Sequence, residues 1–239
     1  MSNDAVVFLF IFLAILLGCM IGGVFLKITK GVFRNNDSYV TLLSGGLLGG
    51  LLFFELIPET LEEYNFMGIV TGFTIGIIMM LFVKRFFHQD HIWSSKITKS
   101  TFFFLFISLL IHSLPTGMAL GLNIEGDHSF SLLFAILIHQ VPEGAALMGA
   151  AMSSKLEFEI FVLFSVLIAA IFAATTYAAM NIHIHSIKLD TLFMGMAIGT
   201  LAYVAFIEIL YKGLKEITLQ SLIIILLGVF MIKVYFFFV

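Results

Sequence analysis

Two histidines in this sequence are each followed, at the same distances, by a proline and a glycine. The segment from His112 reads HSLPTG, and the segment from His139 reads HQVPEG. Both lie inside long apolar runs, where an ionisable side chain is costly unless it is paired, hydrated or bound to a metal. Each proline removes one helical hydrogen bond and frees a carbonyl group close to the histidine. The repeated pattern predicts two helices that together build one polar site.

The spacing of these residues indicates the chemistry of that site. Glu143 lies four residues after His139, so both side chains share one face of a helix. His112 and Thr116 repeat this spacing on the preceding helix. Two imidazoles and a carboxylate suit Zn²⁺, Mn²⁺, Fe²⁺ or Cd²⁺, whereas the thiolates that favour Cu⁺ are missing, and protons are the other cation such a site can hold. The candidate metal ligands are His112, His139, Glu143, Ser113, Gln140 and Thr116.

The composition indicates a membrane protein. Hydrophobic residues make up 61% of the chain, charged residues 11%, and the mean hydropathy is +1.12. The net charge of -3 makes nucleic acid an improbable partner. The single cysteine, Cys19, cannot form an intrachain disulfide, and no cysteine-rich zinc motif is present. We expect neither catalytic residues nor a catalytic cofactor, so that any bound metal is the substrate.

Apolar runs long enough to cross a bilayer predict an all-α protein with one polytopic membrane domain over residues 1–239. The start of the chain has no basic segment of the kind that precedes a signal peptide, so we expect the first run to be a retained helix. The eight predicted transmembrane helices cover residues 5–26, 39–59, 67–83, 101–122, 130–152, 160–181, 191–211 and 217–239.

The distribution of basic residues predicts the orientation of these helices. With the N-terminus outside, most Lys and Arg residues fall in inner loops, as the positive-inside rule expects. Both termini are then outside, and we place the protein in the plasma (cytoplasmic) membrane. The inner basic residues are Lys27, Lys30, Arg34, Lys84, Arg85, Lys96, Lys99, Lys155, Lys212 and Lys215.

Three further acids lie where they can line a transport pathway. Glu55 and Glu59 lie towards the outer end of the second apolar run, and Glu208 lies towards the inner end of the seventh. No lysine or arginine is predicted to oppose them in the centre of the membrane, which favours a cation over an anion as substrate. The loop between the third and fourth helices carries additional candidate metal contacts, for which ordinary solvated residues are the alternative: His88, Asp90 and His91.

These motifs resemble those of the ZIP (Zrt/Irt-like protein) family of divalent-metal transporters. HSLPTG and HQVPEG are similar to the family's fourth-helix H-[NSD]-x-x-[ED]-G and fifth-helix H-x-x-P-E-G patterns. GGLLGGLLFFELIPE and GMAIGTLAYVAFIEIL resemble its second and seventh helices. The resemblance implies a 3+2+3 inverted-repeat arrangement, often dimeric, with a primary metal site at His112, His139 and Glu143. It also implies that Ser113 and Gln140 stand where many members help to hold a second metal.

Departures from the family pattern affect the expected number and kind of metal. Thr116 stands where the family usually has a metal-bridging acid, and Ser113 and Gln140 are neutral, so we expect one metal rather than two. Glu55 replaces a common histidine, and Ile207 precedes Glu208 where a His-Glu pair is usual. These oxygen ligands favour harder ions such as Mn²⁺.

We therefore predict a transporter of divalent metal cations, with zinc as the first expectation, that moves the metal towards the cytoplasm by alternating access. Two alternatives remain open from the residues. An intramembrane zinc metallohydrolase would use similar ligands with an open position for water, although no HExxH segment is present. A proton-coupled carrier of a small organic cation would use His139 and Glu143 as a proton relay.

Overall fold

The computed structural model describes residues 3–29, 37–87, 99–123, 129–181, 187–211 and 218–238, which form eight long helices. Long apolar runs become helical because a helix satisfies all of its own backbone hydrogen bonds without water. The helices are α1 (Asn3–Thr29), α2 (Asp37–Leu51, then π-helical Leu52–Leu56, then Ile57–Glu63), α3 (Phe66–Phe87), α4 (Lys99–Asn123), α5 (Ser129–Ser153), α6 (Phe158–Met180), α7 (Ile187–Ala202, then π-helical Tyr203–Leu210) and α8 (Leu219–Phe238).

The all-α prediction is confirmed, and each predicted span coincides with one of these helices. The largest difference at any one end is four residues, and it occurs at the C-terminal ends of α2 and α3 and at the N-terminal end of α7. Hydropathy marks only the apolar part of a helix, whereas backbone hydrogen bonding continues into the polar ends. Within the described residues, every helix except α5 is long and apolar enough to cross a membrane. The side chains of α5 are described only from His139 onward. The number of crossings and the location of the termini stay predictions.

The helices form an inner group and an outer group. The most apolar stretches of α2, α4 and α7 are 78%, 61% and 67% buried, whereas those of α3 and α8 are only 22% buried. Large apolar side chains such as Phe10, Phe82 and Leu226 are exposed on the outer helices. The described part of α5 is buried along most of its length. The polar motifs of the sequence therefore lie on the helices that are shielded from lipid.

Contacts between the helices follow a pattern that repeats in the two halves of the chain. Helix α1 packs on α5 as α6 packs on α4, and α3 packs on α7 as α8 packs on α2. Likewise α2 contacts α5 as α7 contacts α4. These contacts remain the same when α1 is exchanged with α6, α2 with α7, α3 with α8 and α4 with α5. Inverted structural repeats produce such an exchange.

Glycines allow the closest of these contacts. A Cβ atom added at Gly144 of α5 would lie 2.2 Å from the carbonyl oxygen of Cys19 on α1. A Cβ atom added at Gly195 of α7 would lie 2.5 Å from the carbonyl oxygen of Ile69 on α3. Both distances are too short for a larger side chain, so the backbones approach each other only because glycine is present.

The two π-helical segments interrupt the helices that carry the pathway acids. Glu55 lies in the segment Leu52–Leu56 of α2, and Glu208 lies in the segment Tyr203–Leu210 of α7. Pro58 follows the first segment and has no N–H to donate to the carbonyl of Phe54, which accounts for the altered hydrogen bonding there. Such segments are frequent at functional sites because they redirect a side chain. Here each interruption carries a buried or half-buried carboxylate.

Candidate metal centre

Three of the predicted ligands meet in the buried centre of the bundle. One ligand atom from each of His112, His139 and Glu143 can be chosen such that all three lie within 4.8 Å of one another. The residues are only 2%, 8% and 2% exposed. Helix α4 contributes the first, and α5 contributes the other two from one face. The three side chains that were predicted to share one polar site therefore lie close together in the structure.

The ring of His112 is oriented by the backbone of α7. Its Nδ1 lies 2.8 Å from the carbonyl oxygen of Ala197, which can only accept a hydrogen bond, so Nδ1 donates. In the neutral ring Nε2 then carries a lone pair, and this atom lies 3.1 Å from Oε1 of Glu143. Two acceptors at that distance repel each other unless a proton or a metal ion lies between them. This pair of atoms is therefore suited to bind a cation.

His139 presents a second nitrogen to the same carboxylate. Its Nε2 is buried 3.8 Å from Oε1 of Glu143 and has no hydrogen-bond partner among the described residues. Its Nδ1 lies 3.5 Å from Oε2 of Glu55. A carboxylate behind a histidine is the common second contact of metal-binding imidazoles, because it orients the ring and keeps the other nitrogen available. The unpartnered Nε2 fits a missing metal bond.

The two histidine rings are parallel. Their centroids are 6.1 Å apart, and their planes differ by 4°. The Nε2 atoms lie 3.1 Å and 3.8 Å from Oε1 of Glu143, one from each central helix. The donor set is two imidazole nitrogens and one carboxylate oxygen, which matches zinc and the neighbouring divalent metals.

The neutral candidate ligands next to these three residues form hydrogen bonds with other protein groups. Gln140 donates from Nε2 to Oε2 of Glu143 at 2.6 Å and so fixes the acid. Ser113 donates to the carbonyl of Leu110 at 2.8 Å. Neither hydrogen bond could be predicted from the sequence, because helical spacing does not show which partner a short polar side chain binds.

Thr116 lies beside the cluster. Its hydroxyl donates to the carbonyl of His112 at 2.9 Å, and its oxygen lies 3.5 Å from Nε2 of the same residue. This oxygen therefore lies close to the candidate ligands.

The three acids that were predicted to line the pathway, Glu55, Glu59 and Glu208, have different surroundings. Glu55 is half-buried beside His139, and Glu59 is exposed one turn further along α2. Glu208 is 2% exposed, and Nζ of Lys84 lies 2.9 Å from its Oε1. The expectation that no lysine opposes the central acids is therefore wrong for Glu208, because the long side chain of Lys84 extends from α3 to reach it. His88, Asp90 and His91 lie outside the described residues.

Apolar helices around a buried set of two histidines and a glutamate define an integral membrane protein with a candidate site for a divalent cation. The sequence model of the ZIP zinc transporter family matches residues 88–235, which is more than half of the chain. The chain therefore belongs to the ZIP family, whose members are transporters of divalent metals rather than enzymes. None of the curated proteins compared with the chain matches it.

The matched residues include the candidate ligands His112, His139 and Glu143, and also Glu208. Glu55 and Glu59 precede the matched residues, so the family assignment does not bear on them. Their relation to the site rests on geometry, which places Glu55 next to His139.

Proposed function

We propose that this protein moves a divalent metal cation, zinc before the other candidates, across the membrane towards the cytoplasm. The observation that carries the proposal is the arrangement of His112 and Glu143. A lone pair on Nε2 faces a carboxylate oxygen at 3.1 Å in a buried site, with a third unpartnered donor from His139 nearby. Family membership makes a divalent metal, rather than a proton alone, the cation that fits.

The donor set favours zinc with a low coordination number. Two imidazoles and a carboxylate leave one tetrahedral position for water or for the hydroxyl of Thr116. Fe²⁺, Mn²⁺ and Cd²⁺ accept the same donors and remain substrates to be compared. A single metal is expected because Ser113, Gln140 and Thr116 are neutral and cannot balance a second dication.

Alternating access accounts for how the metal reaches and leaves this site. The exchangeable contacts of the two halves are of the kind that inverted repeats produce, and relative movement of such repeats opens a central site first to one side and then to the other. The metal would pass Glu55 and Glu59 before binding and would leave towards Glu208. A homodimer in the cytoplasmic membrane is part of this proposal through the family resemblance.

Metal flux into proteoliposomes tests the function directly. Purified wild type is compared with the His139→Ala/Glu143→Ala variant over Zn²⁺, Mn²⁺, Fe²⁺ and Cd²⁺, with Glu62→Ala as a control because that acid is exposed at the end of α2. We expect flux in wild type and control, and none in the double variant.

Flux that persists in the double variant would show that the metal takes another route. Tight binding without flux for any ion would contradict the transport proposal. It would favour the metallohydrolase, for which lipid and peptide substrates are the next assay.

A further inference from the structure

A buried ion pair lies away from the metal centre, between the ends of α3 and α7. Nζ of Lys84 lies 2.9 Å from Oε1 of Glu208, and the side chains are 18% and 1% exposed. The same ammonium lies 5.7 Å from the ring centroid of Tyr203, at the start of the π-helical segment that carries the acid. The lysine therefore supplies the counter-charge for a carboxylate that is almost fully removed from solvent.

Glu208 lines a small cavity together with Leu105 of α4 and Ile209 of α7. The cavity is also lined by Ala146 and Ala150 of α5, which lie one and two turns beyond Glu143. Hydroxyl-bearing Ser44 and Thr41 of α2 complete its polar lining. The centre of a water molecule can occupy about 10 Å³ of this cavity, which is enough for about one water molecule. A hydrated metal ion is too large for it.

A lysine also lies near the π-helical segment of α2, but its contacts differ from those of Lys84. Nζ of Lys233 on α8 lies 5.6 Å from the ring centroid of Phe54, within the π-helical segment of α2. The neighbouring Glu55 carboxylate lies 3.5 Å from His139 of the metal centre. A lysine on each outer helix thus lies over an aromatic ring beside a pathway carboxylate. Only on the Glu208 side does the structure place the ammonium against the carboxylate at 2.9 Å.

Resting on the proposed function, we propose that the ammonium of Lys84 competes with the metal for the carboxylate of Glu208, on the path by which the metal leaves. While the ammonium holds the carboxylate, Glu208 cannot retain a metal ion, and the cavity stays narrow. The carboxylate becomes a transient metal ligand when the flexible side chain of Lys84 moves away from it. Lys84 acts as a positioning residue in this scheme, since it sets when the carboxylate of Glu208 can bind the metal and does not itself bind the metal.

Zinc stoichiometry tests this role in the purified full-length protein. We compare wild type with Lys84→Arg, Lys84→Met and Lys84→Met/Glu208→Gln by equilibrium dialysis and elemental analysis. Wild type and the arginine variant should bind one zinc per chain. The methionine variant should bind a second, weaker zinc, because the ammonium of Lys84 then no longer competes for the carboxylate of Glu208. The double variant should return to one zinc.

Flux gives a second readout that does not depend on the stability of the methionine variant. Glu208→Gln leaves the lysine charge facing the path of a cation, and its zinc flux should fall about tenfold or more per folded protein. Removing that charge in Lys84→Met/Glu208→Gln should restore most of the flux. A pair with only a structural role would not make the double variant faster than Glu208→Gln at equal amounts of folded protein.

The outcomes separate this inference from the proposed function. A wild type that binds no zinc would contradict the metal centre itself. One zinc in wild type and one zinc in a folded Lys84→Met variant would overturn the role of the lysine alone. Equal flux in Glu208→Gln and in the double variant would overturn it as well.

Discussion

Nε2 of His112 and Oε1 of Glu143 face each other at 3.1 Å across the interface of α4 and α5. The hydrogen bond from Nδ1 of His112 to the carbonyl of Ala197 turns the lone pair of the ring towards the acid. Gln140 holds the other carboxylate oxygen in place. The two acceptors are thus positioned by neighbours on α7 and α5, and a cation between them removes their repulsion.

Replacing the acid should abolish tight metal binding. Glu143→Gln keeps the shape of the side chain but removes the only charge among the three ligands, so zinc should bind roughly 100-fold more weakly or worse. Isothermal titration of the purified protein measures this change. Gln140→Ala is the informative comparison, because it removes only the hydrogen bond to Oε2 and should cost about tenfold. Equal affinities of wild type and Glu143→Gln would contradict the site.

Glu55 should support the site through His139. Because its carboxylate lies behind Nδ1 of the ring, Glu55→Gln should weaken zinc binding about tenfold without changing the number of metals bound. Glu62→Gln on the same helix changes an exposed acid and should leave the affinity unchanged. If both variants bind zinc like wild type, Glu55 does not orient the histidine.

The pH dependence of binding should identify the histidines as ligands. Imidazole binds metal only through an unprotonated nitrogen, and its ordinary pKa in water is about 6.5. Zinc affinity should therefore fall about tenfold or more between pH 7.5 and pH 5.5. A titration series at constant ionic strength measures this, and an affinity that stays flat over the range would exclude a two-histidine site.

The metal centre should hold one ion in wild type, and an acid at position 116 should change that number. The oxygen of Thr116 lies 3.5 Å from Nε2 of His112, so Thr116→Asp brings a carboxylate next to the ligands. We expect the zinc content to rise from one to two per chain, measured by native mass spectrometry. Thr116→Val serves as the control and should keep one zinc. Two zinc ions at the centre of wild type would contradict the single-site proposal.

The contact between α1 and α5 should depend on the absence of a side chain at Gly144. Gly144→Ala forces a Cβ atom to 2.2 Å from the backbone of Cys19, and such overpacking costs about 1–3 kcal/mol. The melting temperature in detergent should fall. Gly49→Ala on α2 is the matched control, because its added Cβ meets no atom within 4 Å and alanine favours the helix. Equal melting temperatures of the two variants would contradict this packing argument.

Much of the architecture follows from the sequence because lipid leaves few options to an apolar chain. Long runs of Phe, Leu and Ile must become helices, so the positions of the eight helices were predictable while their ends were not. The spacing of His139 and Glu143 determined that they share a face. The type of side chain determined the class of metal, and the order of motifs indicated the family.

What only the tertiary structure decided is which groups meet across helices. No spacing within the sequence relates His112 to the carbonyl of Ala197, Glu55 to His139, or Lys84 to Glu208, which lie on different helices. These contacts depend on how the helices rotate and approach, and close packing at glycines such as Gly195 sets that geometry. The sequence thus determined which residues face inward along each helix. The packing determined their partners, because side-chain pairing between helices depends on distances that local periodicity does not contain.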